Sequence, residues 1–303
     1  MEKILTTEIT EENSKKKKSK KKRNGKQRLV RSLLWIVGGM AVLYMVLIMP
    51  RIVGKPDLSV LNNPLVAHRG FYDNTTDAPE NSLKSFERAI AAGYSIELDI
   101  QSTKDGVVVV FHDYNLERMC GVDALVADKT YEEIKDLTLL DTTEHIPTLQ
   151  EALSLIDGQV PLVVEYKGES TDTGLCDLAD PILSAYEGEY CIQAFNPMIL
   201  LWYRMNHKEV VRGQLAEEYL ESGSKSGALY WAMQNLFFNI LTQPDFISYN
   251  FAYDDVLARK ICTGLYGNVG AAWTIRSQEE LERVKDEYDV YIFDGFVPVL
   301  DGE

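Results

Sequence analysis

The sequence is poor in cysteine, lacks a nucleotide-type glycine turn, and has few basic residues after its first tenth. Its four cysteines, at positions 120, 176, 191 and 262, form no C-x-x-C pair, which argues against a zinc site. Residues 1–32 hold 12 of the 31 Lys/Arg and 4 of the 46 Asp/Glu, which leaves 19 basic against 42 acidic residues in 33–303. Because polyanions bind basic patches, we expect no nucleic-acid partner.

The N-terminal region combines a basic run with an uncharged apolar segment. Residues 15–31 contain eleven basic residues and no acidic one, and Ser32–Met49 carries no charge. A cleaved signal peptide is the alternative, but this run exceeds the roughly 7–15 apolar residues of a signal-peptide core, and no small-x-small cleavage site follows. We therefore expect a retained single-pass anchor at 32–50, since about 18 apolar residues make a span candidate. The basic tail 1–31 should stay cytoplasmic, with the rest outside the cell membrane.

After a short linker at 51–64, marked by Gly54 and Pro56, strand-like and helix-like segments alternate through 65–303. This alternation predicts an α/β domain with a parallel sheet, most simply a closed TIM (β/α)8 barrel. An open doubly wound sheet is the rival, but it would normally carry a glycine-rich turn after its first strand. Residues 115–147 break the alternation and predict a small loop-rich insertion. The predicted strands are 65–69, 95–102, 107–112, 160–166, 190–195, 209–214, 245–250, 268–275 and 290–294.

Three carboxylates stand at the ends of two of these strands. Glu97 and Asp99 are two residues apart and therefore leave the same face of a strand, while Glu165 closes the run 160–164. In a parallel barrel the carboxyl ends of the strands form the catalytic mouth. Inward-facing carboxylates need a cation, and an all-oxygen set suits Ca²⁺ or Mg²⁺. A solvated strand end is the alternative interpretation.

Two histidines and two cations accompany these carboxylates. His68 and His112 each follow an apolar run, and imidazoles suit proton transfer near neutral pH. Arg69 offers a planar fork for phosphate oxygens and Lys167 a point charge. A divalent ion beside Arg and Lys predicts a site for an anionic, phosphate-bearing substrate.

The short segments that contain these residues, together with others further along the chain, resemble the glycerophosphodiester phosphodiesterase family over roughly residues 65–295. Order and spacing agree as well as residue type. The matching segments are HRG at 68–70, PENS at 79–82, ELD at 97–99, HD at 112–113, IPTLQEAL at 146–153, VEYK at 164–167, FNP at 195–197, RGQL at 212–215 and AWT at 272–274.

The resemblance implies a TIM barrel with a small insertion. It also implies metal-dependent hydrolysis of glycerophosphodiesters, small or lipid-derived, to glycerol 3-phosphate and an alcohol. By matching motif, His68 and His112 would be the acid–base pair, Glu97, Asp99 and Glu165 the metal ligands, and Arg69 and Lys167 the phosphate holders. Glu80 and Asn81 would support the metal or the substrate, and Trp273 would form a wall for the glycerol or headgroup.

The chain departs from the family pattern at two places. Ala194 stands where a serine is usual, and Phe296-Val297-Pro298 stands where an acidic-x-proline segment is usual. Both departures concern substrate fit at the barrel rim. Lyase or transphosphatidylation chemistry on lysolipids, and a non-catalytic headgroup-binding barrel, remain alternatives. The latter should have lost a histidine or a carboxylate of the set, and none is missing.

Overall fold

The computed structural model describes residues 2–168, 171–253 and 255–300, so the outermost residues of the tail and of the barrel domain lie outside it. These residues form two units, 1–47 and 48–303. The first unit is one helix, α1, Glu2–Leu47. Within it, Asn13–Leu47 is long and apolar enough to cross a membrane, a property that a signal sequence near the N-terminus shares.

The second unit is built on nine strands within the described residues, and eight of them are parallel. The parallel strands follow one another around a closed barrel, because the first strand pairs with both the last strand and β2. The expected TIM barrel is thereby confirmed. The strands are β1 Leu65–Ala67, β2 Ser95–Ser102, β3 Val108–Val110, β4 Leu162–Tyr166, β5 Tyr190–Ala194, β6 Arg212–Ala216, β7 Phe246–Asn250, β8 Val269–Ile275 and β9 Val290–Phe293.

β3 corrects one expectation. Its segment, 107–112, is among the strands predicted for a parallel sheet, yet β3 pairs antiparallel with β2 and stands outside the barrel. The Phe111 N–H donates to the Asp99 carbonyl at 2.9 Å, so the returning chain brings His112 back beside the carboxylate strand. Apolar composition alone cannot distinguish a barrel strand from a hairpin partner of equal length.

Helices connect most of the parallel strands and begin at side-chain caps. Ser82, Thr148 and Ser277 each accept a hydrogen bond from the backbone N–H three residues later, which satisfies a free amide of the first turn. The helices are α2 Leu83–Ala92, α3 Glu117–Cys120, α4 Tyr131–Ile134, α5 Leu149–Ile156, α6 Gly174–Ser184, α7 Pro197–Asn206, α8 Tyr219–Ser222, α9 Ala228–Gln234, α10 Asn239–Thr242, α11 Leu257–Lys260 and α12 Gln278–Val284. Short 3-10 turns occupy Ser59–Leu61, Val126–Asp128 and Phe251–Tyr253, and a π-helical turn Ile261–Leu265.

The segment expected as a linker, 51–64, packs against the barrel. Its turn Ser59–Leu61 places Val60 and Leu61 in the same apolar cluster as residues of the barrel strands, such as Val163 and Phe246. These residues close the end of the barrel at which the strands begin, which we call the base. The opposite end, at which the strands finish, is the mouth.

The insertion 115–147 has a small core of its own. α3, α4 and the turn Val126–Asp128 surround apolar side chains that continue onto β3. This core fixes the insertion beside the mouth and explains how short helices of four residues persist there. Its buried members are Val109, Phe111, Leu116, Met119, Val126, Ile134, Leu139 and Ile146.

Candidate active site

Three carboxylates converge at the mouth end of β2 and β4. In the parallel register Asp99 stands opposite Glu165, and Glu97 lies two residues earlier on the same face as Asp99. Oxygen atoms of all three lie within 4.8 Å of one another, and all three side chains are buried. The convergence expected from strand position is therefore present.

Two partly buried cations partly balance these charges. Lys167 Nζ lies 2.5 Å from Glu165 Oε1 and 2.8 Å from Asp99 Oδ1, and Arg69 Nε lies 3.4 Å from Asp99 Oδ2. Burial would raise the pKa of Asp99, but Lys167 and its other positive neighbours hold that pKa below its ordinary value. Burial also opposes the charge of Lys167, yet Asp99 and Glu165 raise its pKa above the ordinary value.

Glu97 is the least well compensated of the three carboxyl groups. Burial, together with Asp99 and Glu165, raises its pKa well above the ordinary value. Its Oε2 accepts the Arg69 backbone N–H at 2.9 Å, whereas its Oε1 is buried without a hydrogen-bond partner. A buried carboxylate oxygen with no donor is an arrangement that a metal ion completes.

The wider network is also short of positive charge. Five carboxylates face three cations, a surplus of two negative charges with neutral imidazoles. A hard divalent cation matches both the oxygen donors and this surplus, so the residues fit one. The carboxylates are Glu80, Glu97, Asp99, Asp113 and Glu165, and the cations are Arg69, Arg118 and Lys167.

The loop after β1 supports the cluster through two residues in left-handed backbone conformation. Arg69 has φ 55° and Asn81 has φ 57°, and the Asn81 N–H donates to the Arg69 carbonyl at 2.9 Å. Asn81 Nδ2 donates to Asp99 Oδ2 at 2.8 Å, and the Asp99 N–H returns a bond to Asn81 Oδ1 at 3.3 Å. Such strained positions concentrate at functional sites.

Gly70 lets this loop lie directly on α2. A Cβ atom at Gly70 would fall 2.3 Å from Ser85 Oγ, and the residue has φ 80°, so any side chain here would push the loop away. The Ser85 hydroxyl donates to the Arg69 carbonyl at 3.1 Å and holds the loop from below. The glycine of the HRG segment is therefore needed for packing.

Glu80 ties the first loop to the insertion. Its oxygens accept from Arg69 NH1 at 2.7 Å, from Arg118 NH2 at 2.7 Å and from Asn74 Nδ2 at 2.9 Å. Burial pushes its pKa up, but Arg118, Arg69 and Asn74 lower the pKa to about 2. Glu80 is thus a fixed anion that holds Arg69 in place. Its other cationic partner, Arg118, belongs to the insertion.

Both imidazoles are held by carboxylates. His68 Nδ1 lies 2.9 Å from Asp294 Oδ2, and His112 Nδ1 lies 2.6 Å from Asp113 Oδ1. In each ring an Nδ1–H directed at the carboxylate leaves Nε2 for other partners. Burial lowers the pKa of His68, and the bond to Asp294 offsets only part of that shift.

These side chains line one pocket of about 170 Å³ at the mouth. Among the residues predicted for the site, Glu80, Asn81 and Asp99 do not line it: Asp99 lies in the cluster beneath, and the other two hold Asp99 and Arg69 from behind. The lining residues are His68, Arg69, Glu97, His112, Glu165, Lys167, Gln193, Phe195, Leu215, Trp273, Thr274, Arg276 and Ile292.

Trp273 stands in this pocket as a wall. Its ring meets that of Phe195 edge to face, with centroids 5.6 Å apart. Arg276, at the rim, has an exposed side chain whose Nε lies 3.2 Å from Asp294 Oδ1. The pocket therefore presents acidic, imidazole and cationic groups on one side and an aromatic face on another.

Sequence patterns did not predict Asp294, Arg118, Arg276 or the role of Asp113. Asp294 follows β9 directly, so the strand-end rule that selected the other residues would have found it. Asp113 adjoins His112 in the sequence. Arg118 carried no signal, because it meets Glu80 only through the folded insertion.

The fold and the site define a class of protein: a TIM barrel with a buried oxygen-donor cluster of the metal-binding type and two carboxylate-held imidazoles at one mouth. Residues 68–290, well over half of the chain, match the model of the glycerophosphoryl diester phosphodiesterase family. The chain belongs to this family.

Individual relatives are similar over different lengths. A glycerophosphodiester phosphodiesterase of Caldanaerobacter subterraneus subsp. tengcongensis is 41% identical over 99 residues, 30% of this chain and 40% of the relative. The chain thus spans about two fifths of the length of the first curated relatives it matches. Glycerophosphodiester phosphodiesterase 1 of Mus musculus is 23% identical over 273 residues, 77% of this chain and 76% of that protein.

Solved structures share the fold. An Oleispira antarctica phosphodiesterase, determined in complex with the product sn-glycerol-3-phosphate, superposes with a TM-score of 0.62 at 23% identity, covering 76% of this chain and 92% of that one. A glycerophosphodiester phosphodiesterase of Thermotoga maritima superposes with a TM-score of 0.59 at 24% identity, covering 76% and 93%.

Proposed function

We propose that this protein hydrolyses glycerophosphodiesters to glycerol 3-phosphate and an alcohol, with a divalent cation and a pair of histidines. The family membership supports the substrate class. The observation that carries the chemistry is one pocket that joins an unpaired buried carboxylate oxygen of Glu97 to His68 and His112.

Glu97, Asp99 and Glu165 would hold Ca²⁺ or Mg²⁺. When bound, the ion supplies Lewis-acid stabilisation of charge on the phosphoryl oxygens. Lys167 and Arg69 line the same pocket and hold the phosphate from the protein side. Both cations are fixed by carboxylates, so they need little reorganisation when an anion enters.

His68 and His112 move the protons. One imidazole takes the proton of the attacking hydroxyl, and the other gives a proton to the leaving alcohol oxygen. Asp294 and Asp113 orient the rings so that Nε2 of each serves the pocket. Trp273 covers the glycerol or headgroup and excludes water from that face.

The attacking hydroxyl is that of water or the substrate's own glycerol hydroxyl, which would first give a cyclic phosphate. Lyase or transphosphatidylation chemistry on lysolipids would use the same groups and stop at a different product. Product analysis by phosphorus NMR separates these routes. Hydrolysis predicts a linear glycerol 3-phosphate as the end product.

We also infer that α1 is retained as a single-pass anchor at the cell membrane, with its basic tail in the cytoplasm and the barrel outside. The apolar window within Asn13–Leu47 and the lysine-rich run before it support this topology. Substrates would then be diesters present at the cell surface.

The test of the function is turnover of a panel of glycerophosphodiesters by the full chain in detergent. The expected result is release of glycerol 3-phosphate that stops with a chelator and in His112→Ala. Activity that survives both changes defeats the mechanism. Absence of turnover on every diester of the panel defeats the function.

A further inference from the structure

The chain enters the barrel unit through a segment that is fixed to the base. Ile48, the first residue of this unit, is fully buried. Its carbonyl accepts bonds from Asn239 Nδ2 at 3.0 Å and Cys262 Sγ at 3.2 Å. Asn239 begins α10, which precedes β7, and Cys262 belongs to the turn that precedes β8, so both lie at the base.

Arg51 fixes the next few residues in the same place. Its N–H donates to the Pro244 carbonyl at 3.1 Å, its NH1 to the Lys208 carbonyl at 2.8 Å, and NH1 lies 3.5 Å from Asp245 Oδ1. Further on, Lys55 Nζ donates to the Gly267 carbonyl at 3.4 Å. Each of these partners precedes the start of a barrel strand, so residues 48–55 run across the base.

Around this segment the base exposes large apolar side chains. Val53 is 81% exposed, Leu265 69% and Met205 67%, fractions at which a large apolar group gains by leaving water. Arg204 NH1 donates to the Ile240 and Leu241 carbonyls and so joins the end of α7 to α10. We call this surface the base patch; it consists of Ile52, Val53, Met205, Leu241 and Leu265.

Apolar side chains are exposed on the mouth side too, after β6, at Leu220, Leu229 and Trp231. Chain continuity distinguishes the two ends. Leu47, the last residue of the apolar helix, immediately precedes Ile48, which is buried at the base. The mouth lies a strand length away, roughly 20 Å at about 3.3 Å per residue.

We propose that the base patch rests on a lipid bilayer surface, so that the mouth opens away from the membrane and takes diesters from the aqueous phase. This proposal rests on the proposed function and on the apolar helix as an anchor. It narrows the substrate class to glycerophosphodiesters that are free in water or carried on a polymer outside the bilayer. Headgroups of lipids in the same membrane would be out of reach of the pocket.

The orientation is tested with the full chain in vesicles of phosphatidylcholine and phosphatidylglycerol. In a Cys120→Ser background, a fluorophore is attached at Leu241→Cys on the base or at Leu229→Cys near the mouth, two half-exposed leucines on short helices. Quencher-bearing lipids should quench the base label and leave the mouth label bright. Quenching of the mouth label overturns the proposal. Absence of quenching at both labels, as when a second copy of the chain covers the base, overturns it too.

Substrate access is tested in the same vesicles. Glycerophosphocholine in solution should be hydrolysed as fast as in detergent. A glycerophospho-N-acylethanolamine, a glycerophosphodiester whose acyl chain embeds it in the vesicle, should be hydrolysed in detergent but fall to background in vesicles, because a tethered site that cannot span the distance has a near-zero effective concentration. Equal turnover of the embedded lipid in vesicles and in detergent contradicts the orientation. Failure of glycerophosphocholine turnover in detergent instead contradicts the proposed function.

Discussion

His68 and Asp294 meet at 2.9 Å between Nδ1 and Oδ2, although 226 positions separate them in the chain. β1 and β9 are neighbours in the closed barrel, so the residues that follow the two strands come together at the mouth. Arg276 and Tyr72 contact the same carboxylate, at 3.2 Å each. Closure of the barrel thus supplies the partner that orients one of the two imidazoles.

Asp294→Asn should slow turnover. An amide can present its NH₂ to His68 and favour the wrong ring tautomer, so kcat should fall by about 100-fold, within the range of acid–base contributions. The measurement is kcat and KM over a range of pH. The loss should appear in kcat and not in KM. Tyr72→Phe is the matched control: it removes one bond to Asp294 and leaves the His68 contact, so an equal loss in both variants would argue against orientation.

Glu97→Gln should have opposite effects on stability and on activity. Without a cation, Glu97 has a raised pKa, so the folded state binds more protons than the unfolded one and stability falls as pH rises above the ordinary glutamate value. The neutral amide removes this penalty and should stabilise the cation-free protein at neutral pH by about 1–3 kcal/mol. Thermal melts with chelator measure this gain.

The same variant should lose the response to added Ca²⁺ or Mg²⁺. Ligands that bind only the native state raise its melting temperature, so the wild-type chain should gain stability with the ion and the variant should not. Activity should be lost as well. A variant that melts higher with added ion, just as the wild type does, would show that Glu97 is not a ligand.

Glu80→Gln should weaken both the fold and phosphate binding. The pKa of Glu80 is about 2, below its ordinary value, so its stabilising effect is complete above pH 4.5 and is lost as pH falls toward 2. That difference is worth about 3 kcal/mol at neutral pH. Release of Arg69 should raise KM more than it lowers kcat.

Denaturant unfolding at several pH values, together with steady-state kinetics, checks this prediction. Asn74→Ala is the control, since it removes one bond to the Glu80 carboxylate and one to the Glu80 backbone N–H but keeps both arginine contacts. If the Glu80 variant changes kcat alone, its role lies in the chemical step and not in holding Arg69.

The anchor should survive maturation. Cells that produce the chain should keep full-length protein in the membrane fraction after alkaline extraction, because a span of this length is not removed with peripheral proteins. Protease added outside intact cells should cleave the barrel and spare the tail with its Lys15–Arg31 run. Release of a barrel that begins near residue 50 would identify a cleaved signal peptide instead.

The parts of the fold that local pattern controls were predictable from sequence. The alternation of strand-like and helix-like segments predicted the barrel, because that alternation follows from local apolar patterning. β3 was misassigned because strand direction depends on pairing, which apolar composition does not reveal. The packing of 51–64 on the base depended on tertiary contacts that breaker residues cannot signal.

The site residues also divide into those that local pattern predicts and those that depend on tertiary contacts. Residues at strand ends, such as Glu97, Asp99 and Glu165, were found because barrel geometry brings strand ends together. Glu80 and Asn81 were predicted to support the metal or the substrate. They contact Arg69 and Asp99 and do not line the pocket, which motif spacing alone does not show. Arg118 was invisible since its partners are distant in sequence.

The most direct test of the account is glycerol 3-phosphate release from glycerophosphocholine by the wild-type chain, measured after complete chelation and again after Ca²⁺ or Mg²⁺ is restored. In the proposed mechanism, activity disappears with the chelator, returns with one of these ions, and does not return in Glu165→Gln. Undiminished release from the fully chelated wild type would contradict it.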